Sequence, residues 1–162
     1  MAEPEKPEEI QAREQTSPQT VARRLGYAGL VPAIVLSLWL YGIPVDHLWR
    51  ETTIALLTGY AAVVLSFLGG IRWGYAMADT GDDTARLLAI SVVPALGGWA
   101  AFFIPPPYSF VILAVAFAAH GAWDSLSAQS GNMPGWFARL RMQLTAGIVL
   151  TMIVAFAATA TS

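Results

Sequence analysis

The sequence predicts an all-α integral membrane protein in which about five helices cross the bilayer as one bundle. Two observations carry this prediction. Of the 162 residues, 56% are hydrophobic and only 12% are charged, whereas a soluble domain carries about 25% charged residues. The apolar residues also fall into long runs, and a helix needs about 20 of them to cross the hydrocarbon core. These runs are too long, and too free of alternation, for membrane strands.

Five apolar runs divide the chain into spans. Residues 1–22 are predicted to form an acidic, disordered tail, because five glutamates and three prolines occur there without apolar periodicity. Residues 23–162 are predicted to form the transmembrane domain. A proline inside a membrane helix is tolerated as a kink, whereas consecutive prolines form a turn. The predicted spans are residues 25–41, 52–78, 87–104, 108–128 and 141–158.

The distribution of cationic residues predicts the orientation. Five spans place the connecting segments alternately on two sides of the membrane, and cations concentrate on the cytoplasmic side. Of the nine Lys and Arg residues, one side receives seven, the other receives Arg50 alone, and Arg72 lies within a span. We therefore expect a cytoplasmic amino terminus and an external carboxyl terminus. The cytoplasmic set is Lys6, Arg13, Arg23, Arg24, Arg86, Arg139 and Arg141.

Two charged residues lie within the apolar spans: Arg72 in the second and Asp124 in the fourth. With a rise of 1.5 Å per residue, they lie roughly 9 Å and 6 Å from the cytoplasmic ends of their helices. His120 shares a helix face with Asp124 because it precedes it by four residues. Buried membrane charges are costly and are usually paired. Three interpretations of these residues remain open. Arg72 and Asp124 could form an ion pair that joins two helices, or Arg72 could snorkel to the headgroups. Alternatively, Arg72, Asp124 and His120 could form a proton- or ligand-handling site.

Two further motifs are candidates for contacts with helices and lipids. Gly70 and Gly74 have Gly-xxx-Gly spacing and, with Gly69, predict a small-residue face, suited either to internal packing or to another subunit. Aromatic residues and arginines in the last connecting segment suit either anionic lipid headgroups or a plain positive-inside anchor. The headgroup candidates are Trp136, Arg139 and Arg141.

The sequence does not support several kinds of functional site. The chain contains no cysteine, and its two histidines, His47 and His120, fall on opposite sides of the predicted membrane. Thiolate metal sites and a bis-histidine haem are therefore not expected. No nucleophile motif or cofactor fingerprint is present, so we expect no cofactor and no catalytic residue. The net charge of −2 gives no basis for nucleic-acid binding.

The stretch from Leu65 to Gly74, which contains Leu-Gly-Gly-Ile-Arg-Trp-Gly, resembles the hallmark of a family of small membrane proteins of unknown function found in proteobacteria and mitochondria. The resemblance extends from about Leu25 to Ala158. An acidic residue in the fourth span also resembles the family, and Asp124 occupies that place. Together with the acidic tail, which lacks the character of a transit peptide, the resemblance implies a bacterial inner-membrane location. Phe137 stands where a tyrosine is more usual. Further matching residues are Pro134, Trp136, Arg139, Leu140, Arg141, Leu144 and Thr145.

Three functions are compatible with these features. The first is an accessory or assembly subunit of a larger membrane complex, favoured by the short connections between spans. The second is a small carrier or channel, proton-coupled through Arg72, Asp124 and His120. The third is a lipid- or quinone-binding protein or an enzyme, ranked last because no further catalytic group accompanies His120 and Asp124. The expected partners are the lipid bilayer and either other subunits or further copies of the chain.

Overall fold

A computed structural model describes residues 17–78, 81–129 and 135–160. The described residues are helical and contain no strand. Most of the predicted acidic tail, residues 1–16, lies outside this part of the chain, and residues 18–22 are helical. The helices are α1 (Pro18–Gly42), α2 (Arg50–Ala78), α3 (Thr84–Ser91), α4 (Val93–Ala100), a 3-10 turn (Ala101–Phe103), α5 (Tyr108–Gln129) and α6 (Gly135–Ala160).

Five helical segments are long and apolar enough to cross a membrane, with α3, α4 and the 3-10 turn together forming the third. The predicted all-α bundle of about five transmembrane helices is confirmed. α1 and α6 begin at least six residues earlier than expected. In α1, the Ser17 hydroxyl caps the first turn by accepting from the Thr20 amide at 3.3 Å. In α6, the helix starts at Gly135, six residues before its apolar run. Both helices therefore continue past the apolar segment into polar sequence.

The third span is broken into two short helices at Val92. Pro94 lies in the first turn of α4, where its missing amide hydrogen costs no helical hydrogen bond. The Ser91 hydroxyl donates to the Leu88 carbonyl at 2.6 Å close to this break. A second turn, at Ile104–Pro107, contains a cis peptide bond between Pro106 and Pro107. Prolines thus account for both interruptions.

Small residues let the helices approach closely. α6 packs against α1 and α5, while α2 packs against α1, α3 and α4. A Cβ built on Gly26 would lie 2.7 Å from Leu144, and one built on Gly147 would lie 2.7 Å from Leu30. Leucines of α1 and α6 therefore fit reciprocally over glycines of the opposite helix, as is usual in membrane bundles.

The bundle has two ends, which differ in charge. The Arg72 end contains the starts of α1, α3 and α6 and the ends of α2 and α5; the Arg50 end is opposite. Arg50 is only 7% exposed and donates to the carbonyls of Ala158 and Ile43, at the ends of α6 and α1. A cation is favourable at helix C-termini. At the Arg72 end the exposed arginines are Arg23, Arg24, Arg86 and Arg139.

Candidate functional site

Three helices meet at the carboxylate of Asp124, close to the Arg72 end. Arg72 of α2 donates from Nε to Asp124 Oδ1 at 2.8 Å. Arg141 of α6 donates from Nε to the other oxygen, Oδ2, at 2.7 Å. Asp124 itself belongs to α5 and is 3% exposed. One buried carboxylate thus joins α2, α5 and α6, and charge-assisted hydrogen bonds of this length are among the stronger ones in proteins.

Two contacts hold the Arg72 guanidinium in place beside this carboxylate. Its Nη1 donates to the Ser127 hydroxyl at 2.9 Å, one turn along α5 from Asp124. Its Cζ lies 4.5 Å from the centre of the Trp123 ring, a cation–π distance. Its Nη2 lies 2.6 Å from Asp124 Oδ1 as an ion-pair contact without hydrogen-bond geometry. Arg72 therefore faces the bundle and does not extend along the lipid-facing surface.

The packing of α5 on α6 explains why Arg141 reaches Asp124. A Cβ on Gly121 would meet the Thr145 side chain at 2.6 Å, so the two helices touch at this level. One turn further towards the Arg72 end, α5 presents Asp124 and the antiparallel α6 presents Arg141. The Gly121–Thr145 contact therefore sets the register of the ion pair.

Arg141 is buried, unlike an arginine that anchors a helix at the membrane surface. It is 7% exposed and bound to Asp124. The reason is the early start of α6 at Gly135, which puts Arg141 nearly two turns inside the helix. The signal was present in the sequence, since no helix-breaking residue lies between Gly135 and the apolar run. Arg139 is exposed and Trp136 is half-buried against Phe137, so both remain candidates for headgroup contacts.

His120 lies in the same cluster but does not hydrogen-bond to the carboxylate. Its Nε2 is 3.8 Å from Asp124 Oδ2, and its ring packs edge-on against Trp123. The side chain is almost fully buried, and Nδ1 has no hydrogen-bond partner within the described structure. The structure therefore brings together all three residues of the predicted polar cluster, with Arg141 as a fourth.

The cluster carries more positive than negative charge. Arg72 and Arg141 face a single carboxylate, and among the described residues no other acidic side chain lies within ion-pair distance of either guanidinium. With a neutral imidazole, the buried cluster has a net charge of +1. A charge buried without full compensation is unfavourable.

The predicted small-residue face of α2 is divided between two environments. Gly69 faces the bundle, where a Cβ would lie 2.5 Å from the carbonyl oxygen of Ser91. Gly70 and Gly74 face outwards, and a Cβ on either would have no atom within 4 Å. Helical geometry explains the division, because the inward-facing Arg72 lies near the Gly69 side of the helix. Internal packing therefore accounts for Gly69 alone.

No group of three or more His, Cys, Asp or Glu residues suited to holding a metal ion occurs within residues 17–78, 81–129 and 135–160. His47, the second histidine, lies at the Arg50 end, where its Nδ1 accepts from the Trp49 amide at 3.2 Å. The two histidines are thus at opposite ends of the bundle.

The amino-acid sequence matches a family model and curated proteins. A family model described as "Protein of unknown function (DUF3429)" matches residues 18–157. The chain is 31% identical over 135 residues to "Transmembrane protein 69" of Xenopus tropicalis, covering 80% of this chain and 51% of that protein. It is 29% identical over 97 residues to "Transmembrane protein 69" of Mus musculus, covering 59% and 40%. The chain spans about half the length, or less, of these curated relatives. No solved structure matches significantly.

Proposed function

The chain belongs to the DUF3429 family of membrane proteins, and we propose that it is a non-catalytic accessory or assembly subunit of a larger membrane complex. The proposal includes a bacterial inner-membrane location and a cytoplasmic Arg72 end. The exposed arginines at that end support this orientation, because cations concentrate on the cytoplasmic side of membrane proteins.

The observation that carries the proposal is the outward face of α2. Gly70 and Gly74 have open space where their side chains would be, and Val63 and Phe67 on this helix are both 67% exposed. Glycine gives little contact to lipid, but it lets a second helix approach closely. This face is therefore suited to a helix of another subunit.

The charged cluster favours a structural role over proton transport. Both oxygen atoms of Asp124 accept hydrogen bonds from guanidinium groups. The carboxylate thus ties α2 and α6 to α5, which is what a structural ion pair does. A carrier would need these ion pairs to rearrange during each transport cycle, and their short, buried geometry does not favour this, so the carrier function ranks second.

Affinity purification of the tagged chain from native membranes in mild detergent tests the proposal. We expect a stoichiometric membrane partner that is lost when Gly70 and Gly74 are both replaced by leucine. Ala119→Leu is the matched control, because Ala119 is also a small, outward-facing residue, but on α5. A protein that purifies alone, or a partner that both variants retain equally, would contradict the proposal.

A further inference from the structure

A cavity of about 490 Å³ lies between α1, α2 and α6. This volume is within the range of roughly 300–1,000 Å³ that is usual for small-molecule sites. Its walls are almost entirely apolar, and among the described residues that line it Arg141 is the only charged one. Representative apolar lining residues are Leu25, Leu30, Val64, Ile71 and Leu144.

The cavity is elongated and open at its side. On α2 it is lined from Tyr60 to Ile71, a distance of about 16 Å along the helix. Leu25, Val63 and Phe67 also line it and are each 67% exposed, so they form a rim that faces the surrounding lipid. This shape suits an extended hydrocarbon chain that enters sideways from the bilayer.

Hydrogen bonds from two tyrosines connect the helices that surround the cavity. The Tyr60 hydroxyl donates to the Gly29 carbonyl and thereby ties α2 to α1. The Tyr27 hydroxyl donates to Gln143 Oε1 at 2.7 Å and ties α1 to α6. These hydrogen bonds join α1 to the other two helices around the cavity, and a preformed site reduces the entropic cost of binding.

The positive charge of Arg141 beside the cavity favours a ligand with an anionic group. Arg141 uses Nε to bind Asp124, while its buried Nη2 has no hydrogen-bond partner. The cluster to which it belongs contains two guanidinium groups and one carboxylate. An anion close to Arg141 would balance the remaining positive charge of the cluster.

We propose that the cavity binds an anionic lipid, with one acyl chain between α1, α2 and α6 and the phosphate drawn towards Arg141. Arg141 lies six residues inside α6, about 9 Å from its start. Basic pockets between membrane helices bind anionic headgroups in this way. A neutral quinone would leave the charge unbalanced, and free phosphate would leave the apolar walls uncovered. The lipid site shares Val63 and Phe67 with the face proposed for another subunit, but lipid binding is measured on the purified chain alone, so either proposal can fail without the other.

Native mass spectrometry of the delipidated protein in detergent tests this site. The probes are phosphatidylglycerol, phosphatidylcholine and inorganic phosphate. We expect one phosphatidylglycerol per chain, bound about tenfold more tightly than phosphatidylcholine, because the choline ammonium cancels the phosphate charge and would lie near two guanidinium groups. Inorganic phosphate is expected neither to bind nor to compete. Equal affinity for the two lipids, or full competition by inorganic phosphate, would overturn the proposal.

Two variants test whether phosphatidylglycerol binds in this cavity. Arg141→Gln is expected to remove the preference for the anionic lipid. Because Arg141 also binds Asp124, a second variant that leaves the cluster intact is needed. Val63→Trp places a bulky ring at the exposed rim and is expected to weaken phosphatidylglycerol binding about tenfold, by excluding part of the chain. Val115→Trp, at a similarly exposed valine of α5 that does not line the cavity, is the matched control. Unchanged binding to Val63→Trp would also overturn the proposal.

Discussion

Arg72 and Arg141 bind opposite oxygen atoms of Asp124, from two different helices. The carboxylate is therefore shared by α2, α5 and α6, and its loss would leave two guanidinium groups with no compensating charge. This arrangement makes the ion cluster a determinant of helix packing whatever else the protein binds.

Replacing Asp124 with asparagine is expected to destabilise the bundle. The amide nearly preserves the shape of the side chain but removes its negative charge, and breaking a buried ion pair costs about 3–5 kcal/mol. The thermal unfolding midpoint in mild detergent, followed by circular dichroism, measures the effect. Asp82→Asn is the control, because Asp82 is exposed in the connection between α2 and α3. A stable Asp124→Asn variant that had lost transport in liposomes would instead support a carrier.

Gly69 and Gly70 are adjacent in sequence, but we expect opposite responses to alanine. A Cβ at Gly69 would overlap the Ser91 carbonyl oxygen, so Gly69→Ala is expected to destabilise the protein by about 1–3 kcal/mol. At Gly70 the added methyl meets open space, and the change is expected to be neutral or to stabilise α2 by about 0.5–1 kcal/mol. Unfolding midpoints of the two variants measure this difference. Equal effects at both positions would contradict the assigned face of α2.

The orientation of the bundle can be tested with single cysteines, because the natural chain contains none. Leu48→Cys places a thiol at the Arg50 end, where Leu48 is 86% exposed. Asp82→Cys places one at the Arg72 end. With a membrane-impermeant maleimide on intact bacterial spheroplasts, we expect labelling of Leu48→Cys alone, and of both variants after lysis. Labelling of Asp82→Cys alone in intact spheroplasts would reverse the proposed topology.

Much of the fold could be predicted from the sequence, because the hydrocarbon core requires apolar stretches of a certain length. The similar depths of Arg72 and Asp124 also identified them as possible partners, since residue counts give position along a helix axis. Residue counts do not give rotation about that axis. For this reason the sequence left open whether Gly70 and Gly74 face the bundle or the lipid.

The role of Arg141 could not be obtained from hydropathy. An arginine at the edge of an apolar run is usually an interfacial anchor, and here it is buried because α6 begins at Gly135. The contact between Gly121 and Thr145, which aligns Arg141 with Asp124, depends on the packing of two helices. The cavity beside Arg141 likewise arises from three helices, none of which shows it in its own sequence.

A double-mutant cycle between Arg141 and Asp124 tests the central claim most directly. Arg141→Ala, Asp124→Ala and the double variant would be compared with the natural chain by their free energies of unfolding in mild detergent. Because the two side chains share one buried contact, the double variant is expected to be more stable than the sum of the single losses predicts, by about 1–3 kcal/mol. Strictly additive losses would contradict the ion pair and, with it, the three-helix cluster.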